Sequence, residues 1–203
     1  AASVGTGATL TAATYALNNG SVIDADLGAG AITANGTVAI NGDTGTGSLT
    51  VATGTTTLSG TSAATAISIA NGATLATTTA ERLSDAATVT IADTGKLVLG
   101  GDETIKTLFN ENAGGGMIDL ASFDLFVESG RFDGTIFGSG DIIKIGSGDA
   151  VFNGGSGTYT GVTVVNEGSL TLSGSQTLTS LDITENNDAT LNTQGGLADA
   201  ARV

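Results

Sequence analysis

Apolar and polar residues alternate in short bursts along this chain, and small turn residues interrupt every burst. Within residues 134–172 the β-branched and leucine runs Ile142-Ile143, Val162-Thr163-Val164-Val165 and Leu170-Thr171-Leu172 are separated by turns of Gly, Ser, Asn and Asp. A period of two over three to five residues, bounded by such turns, predicts strands and leaves no room for a helix. A turn residue, one or two small residues and a leucine recur as a word. Gly7-Ala-Thr-Leu10, Gly72-Ala-Thr-Leu75, Gly95-Lys-Leu97 and Gly168-Ser-Leu170 are copies, Asp188-Ala-Thr-Leu191 has Asp in the Gly place, and Gly47-Ser-Leu49 and Gly54-Thr-Thr-Thr-Leu58 are looser. Leu75 to Leu97 is 22 residues and Leu170 to Leu191 is 21. A period of this size is that of a coil stacking on its predecessor. The pattern therefore predicts an all-β chain, a right-handed parallel β-helix (β-solenoid) of about 20–23 residues per coil. At that period the chain makes about nine or ten coils, a stack about 45 Å tall at ~4.8 Å per strand.

Composition sharpens this. Disordered low-complexity chains are also rich in Gly and Ser, but here 40% of residues are apolar and they alternate with polar ones, which disorder does not require. The 32 glycines come with no proline, as expected where nearly every strand is internal and needs its N–H for a ladder. The 203 residues are read as a single β-solenoid domain, 1–203: Thr/Ala/Gly-rich N-terminal coils over 1–70, further coils over 71–192 and a tail over 193–203. Asn-Gly at Asn35, Asn41, Asn71 and Asn153 is expected to supply left-handed turns. All six Phe fall between Phe109 and Phe152, so that segment is expected to hold the widest core, and the coils around Tyr15 a slim or loosely filled one.

The net charge is −14, with only Asp24, Asp26 and Asp43 charged before Glu81 and every basic residue from Arg82 onward. Such a field repels phosphate backbones and anionic lipid, which argues against nucleic acid or bare membrane as partner. No stretch approaches the ~18 apolar residues of a membrane helix. There is no Cys and no His, which excludes disulfides, a Ser-His-Asp triad, a Cys nucleophile and a zinc site of the usual ligands. The start at Ala1 rather than Met, without a signal peptide, reads as a mature form or an excised fragment.

The wording of 134–172 resembles the passenger-associated β-strand repeat of bacterial autotransporters and related giant surface proteins. Gly134, Ile136, Gly138, Gly140, Lys144, Gly146 and Gly148 match the first part of that repeat. Tyr159-Thr160-Gly161, Thr163, Val165, Gly168, Leu170 and Leu172 match the second. The chain departs from it at Phe152, where Leu is usual, and at Val162, where Gly is usual. Residues 71–133 look like the unit that precedes this repeat, through Arg82-Leu-Ser-Asp85, Gly95-Lys-Leu-Val-Leu99 and Glu103-Thr-Ile-Lys-Thr-Leu108. The likeness covers about 71–192, and residues 1–70 carry no diagnostic word. It implies a secreted or cell-surface β-helix, anchored in the outer membrane through a further C-terminal domain or released.

Three candidate chemistries remain. β-Helical lyases and hydrolases use clustered acids, which singles out Asp119, Asp124 and Asp133. The plainer reading is that Asp119 and Asp124 flank an alternating strand and face solvent or cap turns, without the neighbouring basic residues that would grip an anionic sugar. Calcium is the candidate cofactor. Gly138-Ser-Gly-Asp141 and Gly146-Ser-Gly-Asp149 partly match a calcium-binding nonapeptide, with Gly154-Gly-Ser-Gly157 following, but no copy is complete. The Thr runs 55–57 and 77–79 suggest an ice-binding array, against which stands ordinary β-propensity. No catalytic, cofactor-binding or metal residue is therefore assigned. The expected function is a non-enzymatic extracellular stalk or adhesion module, with a host or cell-surface ligand as partner. The alternatives are a subunit that stacks end to end with copies of itself into a filament and, third, a carbohydrate-active enzyme on the same fold.

Overall fold

In the computed structural model the described residues are 3–4, 7–110, 115–153, 159–173, 180–183 and 190–194. They form twenty-three short strands and no helix, and every strand pair is parallel. Each strand pairs with the strand one coil before and one coil after, so the chain is a β-solenoid. One wall is an eight-stranded sheet from Ser3–Val4 to Thr135–Phe137, and a longer wall carries ten strands in sequence from Thr14–Leu17 to Ser180–Ile183. A third, narrow wall begins with Thr9–Leu10 on Asp26–Leu27 and continues through Leu27, Thr44 and Ser62.

Alternation builds the interior. In Thr74–Thr77, Thr88–Ile91 and Val162–Val165 every second side chain is buried and the others are half-buried on the outer surface. Parallel register then places like on like. Val38, Thr56, Leu75, Leu97, Ile118 and Ile136 form one inner column. Tyr15, Ile32, Leu49, Ile67, Val89 and Leu108 form another. The repeat word sets these registers directly, since Leu75 faces Leu97 and Leu170 faces Leu191.

Coil length is less uniform than the sequence period. Ile32 to Leu49 is 17 residues and Leu49 to Ile67 is 18, against 22 for Ile67 to Val89. The early coils are shorter than the expected 20–23 because their turns consist of one or two small residues. The longer coil of 67–89 accommodates the corner around Arg82 and Leu83. The strand Leu125–Phe132 bends, its first half pairing with Ile142–Lys144 and its second with Asp149–Phe152. From there the long wall continues as two ladders, and a three-walled section returns.

Glycine serves two different purposes at the corners. Gly36 and Gly72, after Asn35 and Asn71, have φ of 84° and 70°, the left-handed turn expected of Asn-Gly. Asn41-Gly42 differs: a Cβ on Gly42 would lie 2.2 Å from the Ala25 carbonyl oxygen, and one on Gly60 would lie 2.1 Å from that of Gly42. Here Gly is required because backbone stacks directly on backbone. Gly154 lies outside the described residues.

The aromatic residues correct one expectation. Only Phe132 and Phe152 among the six are buried, Phe123 packs against the core from the side, and Phe109 is 41% exposed. Phe126 and Phe137 occupy outer phases of their strands. The core is thus no wider where the Phe cluster, because strand phase turns half of them outward. Nor is the first coil loosely filled. Tyr15 is buried, and its hydroxyl donates to Leu10 O (2.6 Å) while accepting the N–H of Ala12 and Gly28, each at 3.0 Å.

Leu97 is fully buried between Leu75 and Ile118. Leu97→Ala is expected to cost about 2–5 kcal/mol, the range for a truncated core leucine whose surroundings cannot collapse. Chemical denaturation checks this, and a cost within about 0.5 kcal/mol of zero would contradict the column.

Candidate functional site

The structure does not bring the candidate acids to one place. Asp119 sits in an outer phase of Met117–Asp119, and its carboxylate pairs with the Lys96 ammonium at 2.9 Å. Lys96 also stands 4.8 Å from the centre of the Phe137 ring. Parallel register causes this: Lys96, Met117 and Thr135 share one outer column, and Val98, Asp119 and Phe137 the next. Asp133 is buried, bound by Arg131 (3.0 Å) and by the Asn153 side-chain amide (2.6 Å), while its own N–H donates to Asn110 Oδ1. Basic residues do therefore neighbour two of these acids, contrary to the expectation from sequence. Arg131 is two positions from Asp133, but Lys96 reaches Asp119 only across a coil.

Asp124 belongs to a different set. Its backbone N–H donates to Asp102 Oδ1 (3.0 Å), its Oδ1 accepts from Asp141 N–H (2.8 Å), and Asp141 Oδ1 accepts from Val162 N–H (2.6 Å). A matching run at an earlier corner has Asp43 N–H on Asp26 Oδ1 (3.0 Å) and Thr61 N–H on Asp43 Oδ1 (2.7 Å). The bond from Thr61 holds the Asp43 carboxyl below its ordinary range. At corners the sheet ladder lapses, and each carboxylate receives an N–H of the next coil. These acids are rungs between coils. They are not an acid–base pair around a cleft.

Asp141 and Asp149 do not converge either. Asp141 is committed to Val162, whereas Asp149 is an exposed strand residue in register with Ser169. The turn 154–157 lies outside the described residues. Among the described residues no group of three or more Asp or Glu is placed to hold a metal ion. Chelator is expected to leave the melting temperature and the β circular dichroism of the protein unchanged. A loss of β signal on chelation would contradict this and direct mutation to Asp141 and Asp149.

The Thr runs do not make a flat array. Thr56 and Thr77 point inward and are buried, Thr55 and Thr57 point outward, and Thr78 and Thr79 sit at a corner. The outer face of the long wall does carry an open groove of about 430 Å³ between Thr50, Ser68, Asn71 and neighbouring alanines. Nothing in that lining titrates, so it offers no acid, base or nucleophile.

Two buried charges matter more than any of these, and sequence reasoning did not single them out for it. Lys144 is fully buried, in register with Val127 and Val165. Its ammonium donates to the carbonyls of Ile145 (2.6 Å), Gly146 (2.6 Å) and Glu167 (3.0 Å). Burial lowers its pKa, partly offset by the carboxylates of Glu128, Glu167 and Asp149. Glu103 is fully buried, in register with Leu125. Its Oε1 accepts Arg82 N–H (3.0 Å) and its Oε2 accepts Leu83 N–H (3.1 Å). Desolvation pushes its carboxyl up to about 7. The available signal was strand phase: Ile142 and Lys144 alternate as Glu103 and Ile105 do, so each charge shares the inward phase with an isoleucine.

Tyr159, the Tyr of the Tyr-Thr-Gly step, bridges to Gly138, and its hydroxyl bonds to Thr163 in the interior. Burial pushes that phenol to about 12. The residues that carried the resemblance thus serve the interior and its turns: Ile136, Lys144, Thr163, Val165, Leu170 and Leu172 are buried, and Gly138, Gly146 and Gly168 have φ of 116°, 64° and 72°. Comparison of the chain with protein-family models, curated proteins and solved structures finds no match.

Proposed function

We propose that this chain is a non-enzymatic structural module, a stalk or spacer segment of a bacterial surface or secreted protein. The carrying observation is how the polar chemistry is spent. The candidate acids Asp124, Asp133 and Asp141 are bonded to backbone or side chains of a neighbouring coil. An enzyme or receptor holds polar groups convergent on a concave site. Here they tie each coil to the next, which stiffens a stack. The surface destination rests on the resemblance of 134–172 to the passenger repeat, whose matched residues fall at inward and turn positions.

Excision of one whole coil tests the mechanical part. Ile142 and Thr163 occupy equivalent rungs, so deleting residues 142–162 rejoins the stack in register. A spacer is expected to remain folded and cooperative, one rung shorter, since repeat arrays tolerate loss of a unit. Loss of folding on excision would contradict it. Labelling of intact source cells with an antibody to the domain tests the destination. Signal is expected without permeabilisation, and signal only after permeabilisation would overturn the surface reading.

A further inference from the structure

Glu103 is used by nothing described so far, and its surroundings are unusual. It is the one carboxylate among the described residues with no measurable exposure, and it reaches from its own strand, Glu103–Asn110, to the corner at 80–85. There it holds two consecutive backbone N–H groups, Arg82 on one oxygen and Leu83 on the other. The Thr77 hydroxyl is a third partner. The corner is under backbone strain: Glu81 has φ of 53° without being glycine, a conformation that costs an L-residue about 1–2 kcal/mol. Leu83 closes the core from this corner.

The groups facing Glu103 are nearly all acidic. The corner itself brings Glu81 and Asp85, the residue before Glu103 is Asp102, and the next coil presents Asp124, whose carbonyl accepts the Glu103 N–H. Asp141 stands one coil beyond that. Lys106 lies on the same strand but in an exposed phase. Arg82 is the only cation on the corner, and its guanidinium is turned away, to Ser59 O and Ala80 O, each at 3.0 Å. A charge on Glu103 therefore has two peptide donors and no counter-ion.

We propose that Glu103 is a proton-operated latch: protonated, it holds the 80–85 corner against the rod, and on losing its proton it lets that corner open locally. The sign follows from linkage. Burial raises the carboxyl in the closed form to about 7, whereas an opened, hydrated Glu titrates near its ordinary value. The closed form binds the proton more tightly, so closure is strongest at acidic pH and weakens as pH rises from the ordinary carboxyl range through about 7. Between pH 5 and pH 8 the opening equilibrium is expected to rise on the order of fifty-fold. The latch would bare Leu83 and the Arg82 backbone at neutral pH and cover them in acid.

Amide hydrogen exchange on the whole chain, corrected for the intrinsic pH dependence of exchange, reads this directly. The Arg82 and Leu83 amides are expected to lose about fifty-fold in protection from pH 5 to pH 8, while the Val89 and Leu97 amides keep theirs. Glu103→Gln should flatten the response at Arg82 and Leu83. If that variant does not fold, a carboxyl-carbon titration of Glu103 in the unmodified protein decides: a midpoint near 7 supports the latch, and one in the ordinary carboxylate range overturns it. Protection at Arg82 and Leu83 that ignores pH, or that falls in step with Val89 and Leu97, would also overturn it.

Discussion

Lys144→Ala is expected to destabilise the protein by about 3–5 kcal/mol, measured by chemical denaturation. Three carbonyl oxygens, those of Ile145, Gly146 and Glu167, would lose their donor. Each buried acceptor left unpaired costs about 1–3 kcal/mol before relaxation and water entry reduce the sum. The four-carbon stem, packed in register between Val127 and Val165, would leave a void as well. Lys144→Met retains the stem and should recover about 1–2 kcal/mol of the loss, which separates packing from hydrogen bonding. A Lys144→Ala variant as stable as the parent would show that the ammonium does not organise this corner. Gly168 belongs to the same unit, since a Cβ there would lie 2.9 Å from the Lys144 ammonium and 2.6 Å from two carbonyl oxygens.

Gly140→Ala is expected to cost about 3 kcal/mol, at the upper end for overpacking, because the obstacle is backbone. An added Cβ would stand 1.7 Å from the Phe123 carbonyl oxygen, and Gly161, one coil on, meets the Gly140 carbonyl oxygen in the same way at 1.9 Å. A side chain can rotate aside, whereas a coil can only be pushed off its neighbour. Gly72→Ala makes the comparison: nothing lies within 4 Å of its added Cβ and only its φ of 70° objects, for about 1–2 kcal/mol. Denaturation midpoints should therefore rank Gly140→Ala as the more damaging. The reverse order would mean that corner stacking is looser than these distances imply.

The architecture was legible because the signals behind it are local and repeated. The spacing from Leu75 to Leu97 and from Leu170 to Leu191 equals the rung-to-rung step observed between them. Coil length in 1–70 was harder to read, since the Thr/Ala/Gly background offers few large residues to mark the phase, and steps of 17 or 18 residues passed unnoticed. The Phe cluster misled for a related reason. Composition locates Phe109, Phe126 and Phe137 in the segment, but only the phase of each strand decides which side they face.

Among the candidate acids, the plainer reading of Asp119 and Asp124 fits their observed places, outward on a strand and at a turn. Their partners could not be read from sequence. Lys96 and Asp119 are 23 residues apart and meet only through the register of two strands. Glu103 and Lys144 were hidden by the general expectation that charged residues face water. That expectation fails where a turn offers its peptide groups to the interior. The strand phase at Ile105 and Ile142 was the clue that outweighed it.

The central claim is that the chain is a stack of parallel coils in the stated register. Backbone proton–proton contacts by NMR test it most directly. Contacts are expected between Ile67 and Val89, Leu75 and Leu97, Ile118 and Ile136, and Leu170 and Leu191, with the sequential offsets of parallel strands. Close α-proton pairs between neighbouring strands in antiparallel order, or no contacts at these spacings, would contradict the solenoid and everything built on it.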